Sequence, residues 1–248
     1  MTFDAHPRSS LIVALDFDSL SSAMKFAKQV ADLVGLFKIG NQLFTSAGPA
    51  AVKEVSALGP GIFLDLKFHD IPNTVAGAVL SVAAMSGVQL VNVHASGGGT
   101  MLKAAAQAIS AGVPLGMDRP RLLAVTVLTS MDHKAMREVG LSGTPQSSVL
   151  KLAKLAKASG VDGVVASVQE AKAIRKACGR EFLIVTPGVR PKENGKSAAK
   201  KDDQSRTATP TEAIRAGADY IVVGRPILAA SDPRAAAQSI VDEIAASK

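Results

Sequence analysis

Eight short, β-rich apolar runs recur along this chain, at residues 11–15, 36–39, 62–66, 90–93, 122–127, 163–166, 183–185 and 220–223. No other feature restricts the fold as much. Between the runs lie segments mostly rich in Ala, Lys, Val and Leu at helical spacing. In 21–34, Ala23, Phe26, Ala27, Val30, Ala31 and Val34 follow the i, i+3, i+4 rule, and in 147–158 Val149, Leu152, Ala153, Leu155 and Ala156 do the same. Strand then helix, repeated, makes successive strands parallel. Eight such units in 248 residues predict a single-domain α/β fold over 1–248, the (β/α)₈ or TIM barrel. A doubly wound open sheet would usually carry fewer strands and a Gly-rich fingerprint after the first, and none follows Leu15. The run Ser96-Gly97-Gly98-Gly99-Thr100 has no Gly-Lys-Ser/Thr after it, so it reads as a strand-to-helix turn, not a nucleotide cradle.

Composition narrows the class of partner. No run approaches the roughly 18 apolar residues of a membrane helix, and the first ten residues, with Asp4, His6 and Arg8, lack a signal-peptide apolar core. A cytoplasmic protein without a membrane partner is expected. The lone cysteine, Cys178, excludes an intrachain disulfide and a Cys-rich metal site, and its place near a helix end reads as structural. Net charge is +7, with a concentration in 192–206 (Lys192, Lys196, Lys200, Lys201 and Arg206) whose composition reads as a mobile loop. With one Tyr, no Trp and no aromatics among those basic residues, the stacking platform for nucleic acid is missing. Anionic small molecules, not nucleic acid, are the expected ligands.

In a (β/α)₈ barrel the active site lies at the carboxyl ends of the strands. Charged and polar residues gather at those positions. The first run ends in Asp16 and Asp18, and the second carries Lys38. Asp65 and Lys67 end the third, Asn92 and His94 the fourth, Thr126, Thr129 and Ser130 the fifth. The third stands out, because alternation along a strand aims Asp65 and Lys67 the same way, and burying such charges costs several kcal/mol each unless they are closely paired. After the seventh and eighth runs come Thr186-Pro187-Gly188-Val189-Arg190 and Gly224-Arg225-Pro226. Each loop offers glycine and an arginine where this fold commonly holds a phosphate, so the expected ligand carries one.

These residues resemble the orotidine 5′-phosphate decarboxylase family over nearly the whole chain. The resemblance runs through Leu11-Ile12-Val13-Ala14-Leu15-Asp16, Phe37-Lys38-Ile39-Gly40, Thr126-Val127-Leu128-Thr129-Ser130, Thr186-Pro187-Gly188-Val189-Arg190-Pro191 and Val223-Gly224-Arg225-Pro226-Ile227. Most specific is Asp65-Leu66-Lys67-Phe68-His69-Asp70-Ile71-Pro72-Asn73-Thr74. Asp-x-Lys-x-x-Asp alone is shared with metal-dependent sugar-phosphate relatives, whereas the Ile-Pro-Asn-Thr continuation resembles the decarboxylase branch.

The resemblance implies decarboxylation of orotidine 5′-monophosphate to UMP, the last step of de novo pyrimidine nucleotide synthesis. It implies an alternating charge network of Lys38, Asp65, Lys67 and Asp70, with Lys67 the proton donor to C6. Asp70, Ile71 and Thr74 would come from the neighbouring subunit of a homodimer. Asp16 and Lys38 would hold the ribose hydroxyls, and Thr129 or Ser130 the base. Gln204, Arg190, Gly224 and Arg225 would take the phosphate, with Pro187 also in contact with substrate and the loop near 190–206 closing over it. No cofactor is expected, and no metal: a metal site drawn through His69, His94, Asp65 and Asp70 would have Lys67 among its carboxylates, competing with a cation.

Overall fold

Every apolar run becomes a strand. They are β1 (Leu11–Ala14), β2 (Leu36–Gly40), β3 (Gly61–Phe68), β4 (Val88–His94), β5 (Arg121–Val125), β6 (Gly163–Val165), β7 (Leu183–Thr186) and β8 (Tyr220–Val223). The structure, a computed structural model, describes residues 6–191 and 207–247. Each strand pairs in parallel with the next, and β8 pairs with β1, closing the expected barrel. The helices are α1 (Leu20–Val30), α2 (Asn41–Ala47), α3 (Pro49–Ser56), α4 (Pro72–Ala83), α5 (Gly98–Ala111), α6 (His133–Glu138), α7 (Pro145–Ala158), α8 (Val168–Cys178), α9 (Pro210–Arg215), α10 (Arg225–Leu228) and α11 (Pro233–Ala245). None is long and apolar enough to cross a membrane among the described residues.

The period-two alternation of the strands sorts their side chains into two cores. Ile12, Ala14, Leu36, Phe63, Leu90, Leu123, Leu183, Val185 and Val222 fill the barrel interior. Their neighbours Leu11, Val13, Phe37, Ile39, Ile62, Leu64, Val91 and Val93 belong instead to the larger core with the helices. Both faces are therefore apolar, which is why the runs read as continuous and not alternating.

Element ends follow local chemistry. Thr144 caps α7 through a reciprocal box with Ser147, and Thr209 caps α9 the same way with Glu212. The glycine run is a turn as expected: a 3₁₀ turn, Ala95–Gly97, leads into α5 at Gly98, whose φ of 85° suits a residue without a Cβ. The helix expected over 21–34 stops at Val30 and tightens into a 3₁₀ turn, Ala31–Leu33. Cys178 is buried at the end of α8, and burial pushes its thiol pKa up, which suits a packing role.

At the amino end of the barrel, carboxylates tie strands together. Asp162 accepts the Leu122 N–H at 2.8 Å and both terminal nitrogens of Arg119, at 2.8 and 3.0 Å. Asp219 accepts the Ile184 N–H and an Arg175 nitrogen, each at 2.7 Å. Burial pushes the Asp219 pKa up, against the pull of those two donors. The rest of the Arg175 guanidinium bonds the carbonyls of Gly179, Arg180, Phe182 and Gly217.

Candidate active site

The alternation that builds the inner core also builds the site. Counting two residues on from inner-core positions gives Asp16 after Ala14, Lys38 after Leu36, Asp65 after Phe63 and Asn92 after Leu90. These polar groups form the layer above the last apolar one, at the carboxyl end. They are linked: Lys38 Nζ lies 3.0 Å from Asp16 Oδ1 and 3.5 Å from Asp65 Oδ2, and Lys67 Nζ lies 2.7 Å from Asp65 Oδ1. Signs alternate along Asp16, Lys38, Asp65 and Lys67. The side chains of Asp65 and Lys38 are 11% and 12% exposed, so removing one partner leaves a largely buried charge, which costs about 3–5 kcal/mol.

Lys67 reaches this position by a route that simple alternation does not describe. Between Leu64, opposite Val91, and Phe68, opposite Val93, β3 advances four residues while β4 advances two. Lys67 occupies this bulge with φ of 53°, the one positive φ outside glycine among the described residues. For a lysine this conformation costs about 1–3 kcal/mol and persists only where its surroundings enforce it. Here the Lys67 N–H donates to Asn92 Oδ1 at 2.8 Å, and Asn92 Nδ2 donates to Asp65 Oδ1 at 2.6 Å. Gly40 makes room on the adjoining strand, since a Cβ there would lie 2.9 Å from Lys38 Nζ.

A cavity of about 300 Å³ opens over this layer. Asp16, Lys38, Asp65, Lys67, Thr129, Pro187, Arg190, Gly224 and Arg225 all line it, as the sequence led us to expect for each. Leu128 and Gly188 are also among the lining residues. Ammonium groups from β2 and β3 and guanidinium groups from the segments after β7 and β8 thus line one cavity, an arrangement suited to an anionic ligand. A larger cavity, about 750 Å³, lies at the amino end, where Arg119 is held by Asp162 and Arg8 Nη1 donates to the Asp32 carbonyl. Chemistry, not size, selects the smaller one.

Other expected residues fall elsewhere. Ser130 is exposed and does not line the cavity. Asp70, Ile71 and Thr74 are exposed at the start of α4, outside both the cavity and the ion-pair chain; Asp70 Oδ1 accepts the Ile71 N–H at 2.6 Å. Within one chain the network expected over Lys38, Asp65, Lys67 and Asp70 therefore runs from Asp16 to Lys67. Asp18 receives Gln42 Nε2 instead of facing the cavity, and the Thr126 and Thr186 hydroxyls donate to the carbonyls of Val165 and Tyr220. Gln204 and the 192–206 loop lie outside the described residues. From the sequence alone Asn92 reads only as a strand-end residue and Gly40 only as part of a motif. The signal that finds both is their position two residues from an inner-core or site residue.

His94 stacks near His69, with ring centroids 5.4 Å apart. Burial holds its pKa below the usual histidine value, with the charges of His69 and Lys67 adding to the effect. Among the described residues no three His, Cys, Asp or Glu side chains group to hold a metal ion.

Comparison with known proteins agrees with this geometry. The family model described as "Orotidine 5'-phosphate decarboxylase / HUMPS family" matches residues 9–240. The orotidine 5′-phosphate decarboxylase of Trichlorobacter lovleyi is 53% identical over 239 residues, covering 96% of each chain. That of a Geobacter species is 51% identical over 236 residues, covering 95% of this chain and 96% of its own. Among solved structures, orotidine 5′-phosphate decarboxylase from Lactobacillus acidophilus superposes with a TM-score of 0.83 at 42% identity, over 94% of this chain and 98% of its own. From the barrel, the charged layer at its carboxyl end and these relatives together, the chain belongs to the orotidine 5′-phosphate decarboxylase / HUMPS family.

Proposed function

We propose that this protein decarboxylates orotidine 5′-monophosphate to UMP, in pyrimidine nucleotide synthesis, without a cofactor and with Lys67 as the proton donor. The observation that carries this reading is the Lys67 ammonium, 2.7 Å from Asp65, in a cavity that Arg190 and Arg225 also line. Among the described residues Lys67 Nζ has Asp65 as its one ion-pair partner. An ammonium carries three donors, so two can serve the substrate.

The chemistry demands such a group. When the bond from C6 to the carboxylate breaks, carbon dioxide leaves and the electron pair stays on a ring carbon with no adjacent electron sink. A fixed cation stabilises that developing charge, and the same group donates its proton to C6, leaving a neutral amine that regains a proton from solvent. Asp65 faces the departing carboxylate. Lys38, held between Asp16 and Asp65, pairs with both and, with Asp16, binds the ribose hydroxyls. Thr129, the one of the Thr129 and Ser130 pair that lines the cavity, contacts the base beside Pro187; Arg190, Arg225, Gly224 and Gln204 take the phosphate. Remote phosphate binding helps the reaction by positioning the base over Lys67.

Asp70, Ile71 and Thr74 act in this reading from the partner subunit of a homodimer. Their exposure, with Ile71 67% accessible on one chain, supports a role across an interface. A metal-dependent sugar-phosphate reading fares worse, since both Asp65 oxygens already face ammonium groups that oppose a cation.

The test is the ultraviolet absorbance change of orotidine 5′-monophosphate mixed with purified protein, with and without EDTA. Conversion to UMP that chelator leaves unchanged is expected. No conversion, or conversion only with added divalent metal, rejects the reading.

A further inference from the structure

Asn92 is completely buried on the inner face of β4, in the same polar layer as Asp16, Lys38 and Asp65. A side-chain amide there must have hydrogen-bond partners, and its two identified ones belong to the site: the Lys67 N–H and the Asp65 carboxylate. The chemistry of the partners fixes its orientation. A backbone N–H only donates, so the amide oxygen faces it, and an ionised carboxylate only accepts, so the amide nitrogen faces that. One rigid planar group thus spans the backbone of one member of the pair and the side chain of the other. It also supplies the acceptor for the N–H of the lysine whose φ is 53°.

We propose that Asn92 is a positioning residue that clamps Lys67 in its bulge and holds Asp65 against its ammonium, so that the proton donor is set before substrate arrives. This rests on the function proposed above. No aliphatic residue can replace it, and serine is too short to span both groups. Without the amide, the Lys67 N–H loses its acceptor and the lysine backbone is free to leave the left-handed region. A displacement of about 1 Å in a catalytic group is enough to cost about 100-fold in rate.

The effect is expected in kcat and not in binding, because Asn92 bonds the catalytic pair and does not line the cavity. Asn92→Ala should lower kcat about 100-fold while KM for orotidine 5′-monophosphate and the Kd for UMP stay near the parent values. Asn92→Asp sharpens the test. Its carboxyl has the same shape and can accept from Lys67 N–H, but it donates to Asp65 only when protonated; ionised, it sets a second negative charge beside that carboxylate. Its kcat should recover as pH is lowered, a rise that Asn92→Ala and the parent lack. Amide hydrogen exchange gives an arm independent of turnover: Lys67 should exchange faster in Asn92→Ala while Leu64 on the same strand does not. The inference is overturned if Asn92→Ala keeps parental kcat, or if kcat, KM and Tm fall together in both variants with no recovery at low pH. Should the parent fail to convert the nucleotide, the proposed function falls, and unchanged Lys67 exchange in Asn92→Ala then overturns the clamp on its own.

Discussion

Both ends of the barrel hold partly buried carboxylates beside basic side chains, yet they use them differently. At the amino end, Asp162 and Asp219 each accept a strand N–H and an arginine, and Arg175 bonds four carbonyls besides. The polar capacity there is spent within the protein. At the carboxyl end Asp16, Lys38, Asp65 and Lys67 pair through single ammonium contacts, and the lysines face a cavity with donors to spare. One end is saturated and fastens strands; the other is pre-aligned, with strain at Lys67, for a ligand to complete. The difference follows residue type: a guanidinium offers a rigid fork of five donors suited to fixed carbonyls and carboxylates, while an ammonium on a flexible stem is a mobile point charge able to lose its proton.

The sharpest way to break the comparison is at Lys67. Lys67→Ala should lower kcat by at least about 10⁴-fold, since it removes the proposed proton donor and the cation beside the developing charge, yet the chain should stay folded and bind UMP because Asp65 keeps Lys38 and Asn92 as partners. Stopped assays and calorimetry check the two halves, and retained turnover would refute the donor role. Next is the claim that the carboxyl end is completed by a second copy. Lys67→Ala and Asp70→Ala chains, mixed equally and allowed to exchange, should regain about a quarter of parental activity, because half the dimers are hybrid and each hybrid has one intact site of two. No recovery despite demonstrated exchange counts against a shared site.

The reverse pattern is expected at the amino end. Arg175→Ala strips Asp219 of its partly buried partner and four carbonyls of their donor, and should cost about 3 kcal/mol, or roughly 6–12 °C in Tm for a chain of this size, with kcat at 25 °C unchanged per folded molecule. A large fall in kcat without a fall in Tm would erase the distinction between the two ends. The smallest effect concerns His94. Its pKa is lowered by burial, then by His69 and Lys67, so the unfolded chain takes up a proton near 6.5 while the folded one resists it. Stability present above that value is lost as pH falls through the folded pKa. The denaturation midpoint should drop between about pH 7.5 and about pH 5.5, and His94→Asn should flatten part of that drop.

The barrel was legible because its evidence is repeated eight times: a misjudged strand end, such as Val88 for Leu90 or Gly40 for Ile39, leaves the count and the parallel order intact. The cavity-lining residues were legible for a related reason, since a strand's carboxyl end is an address that sequence alone supplies. Sequence left Thr129 and Ser130 as alternatives because both lie beyond β5 in irregular chain, where no period says which way a side chain faces; the cavity takes Thr129. Asp70, Ile71 and Thr74 are exposed on this chain and lie outside its cavity, so their place in the site rests on the homodimer proposed above.

What the residues determined by themselves is the periodic part: two-residue alternation, helical spacing, and the placement of Asp16, Lys38, Asp65 and Lys67 past apolar runs. Those follow from backbone geometry that is the same wherever a strand forms. Tertiary structure decided the rest, because it depends on contacts between segments far apart in sequence. The bulge that turns Lys67 to φ of 53° exists only against β4. Asn92 reaches Asp65, 27 residues before it in the chain, only when β4 pairs with β3 and sets the two within 2.6 Å. Hydrogen bonds and ion pairs act over a few ångströms of space, and a sequence records distance along the chain instead.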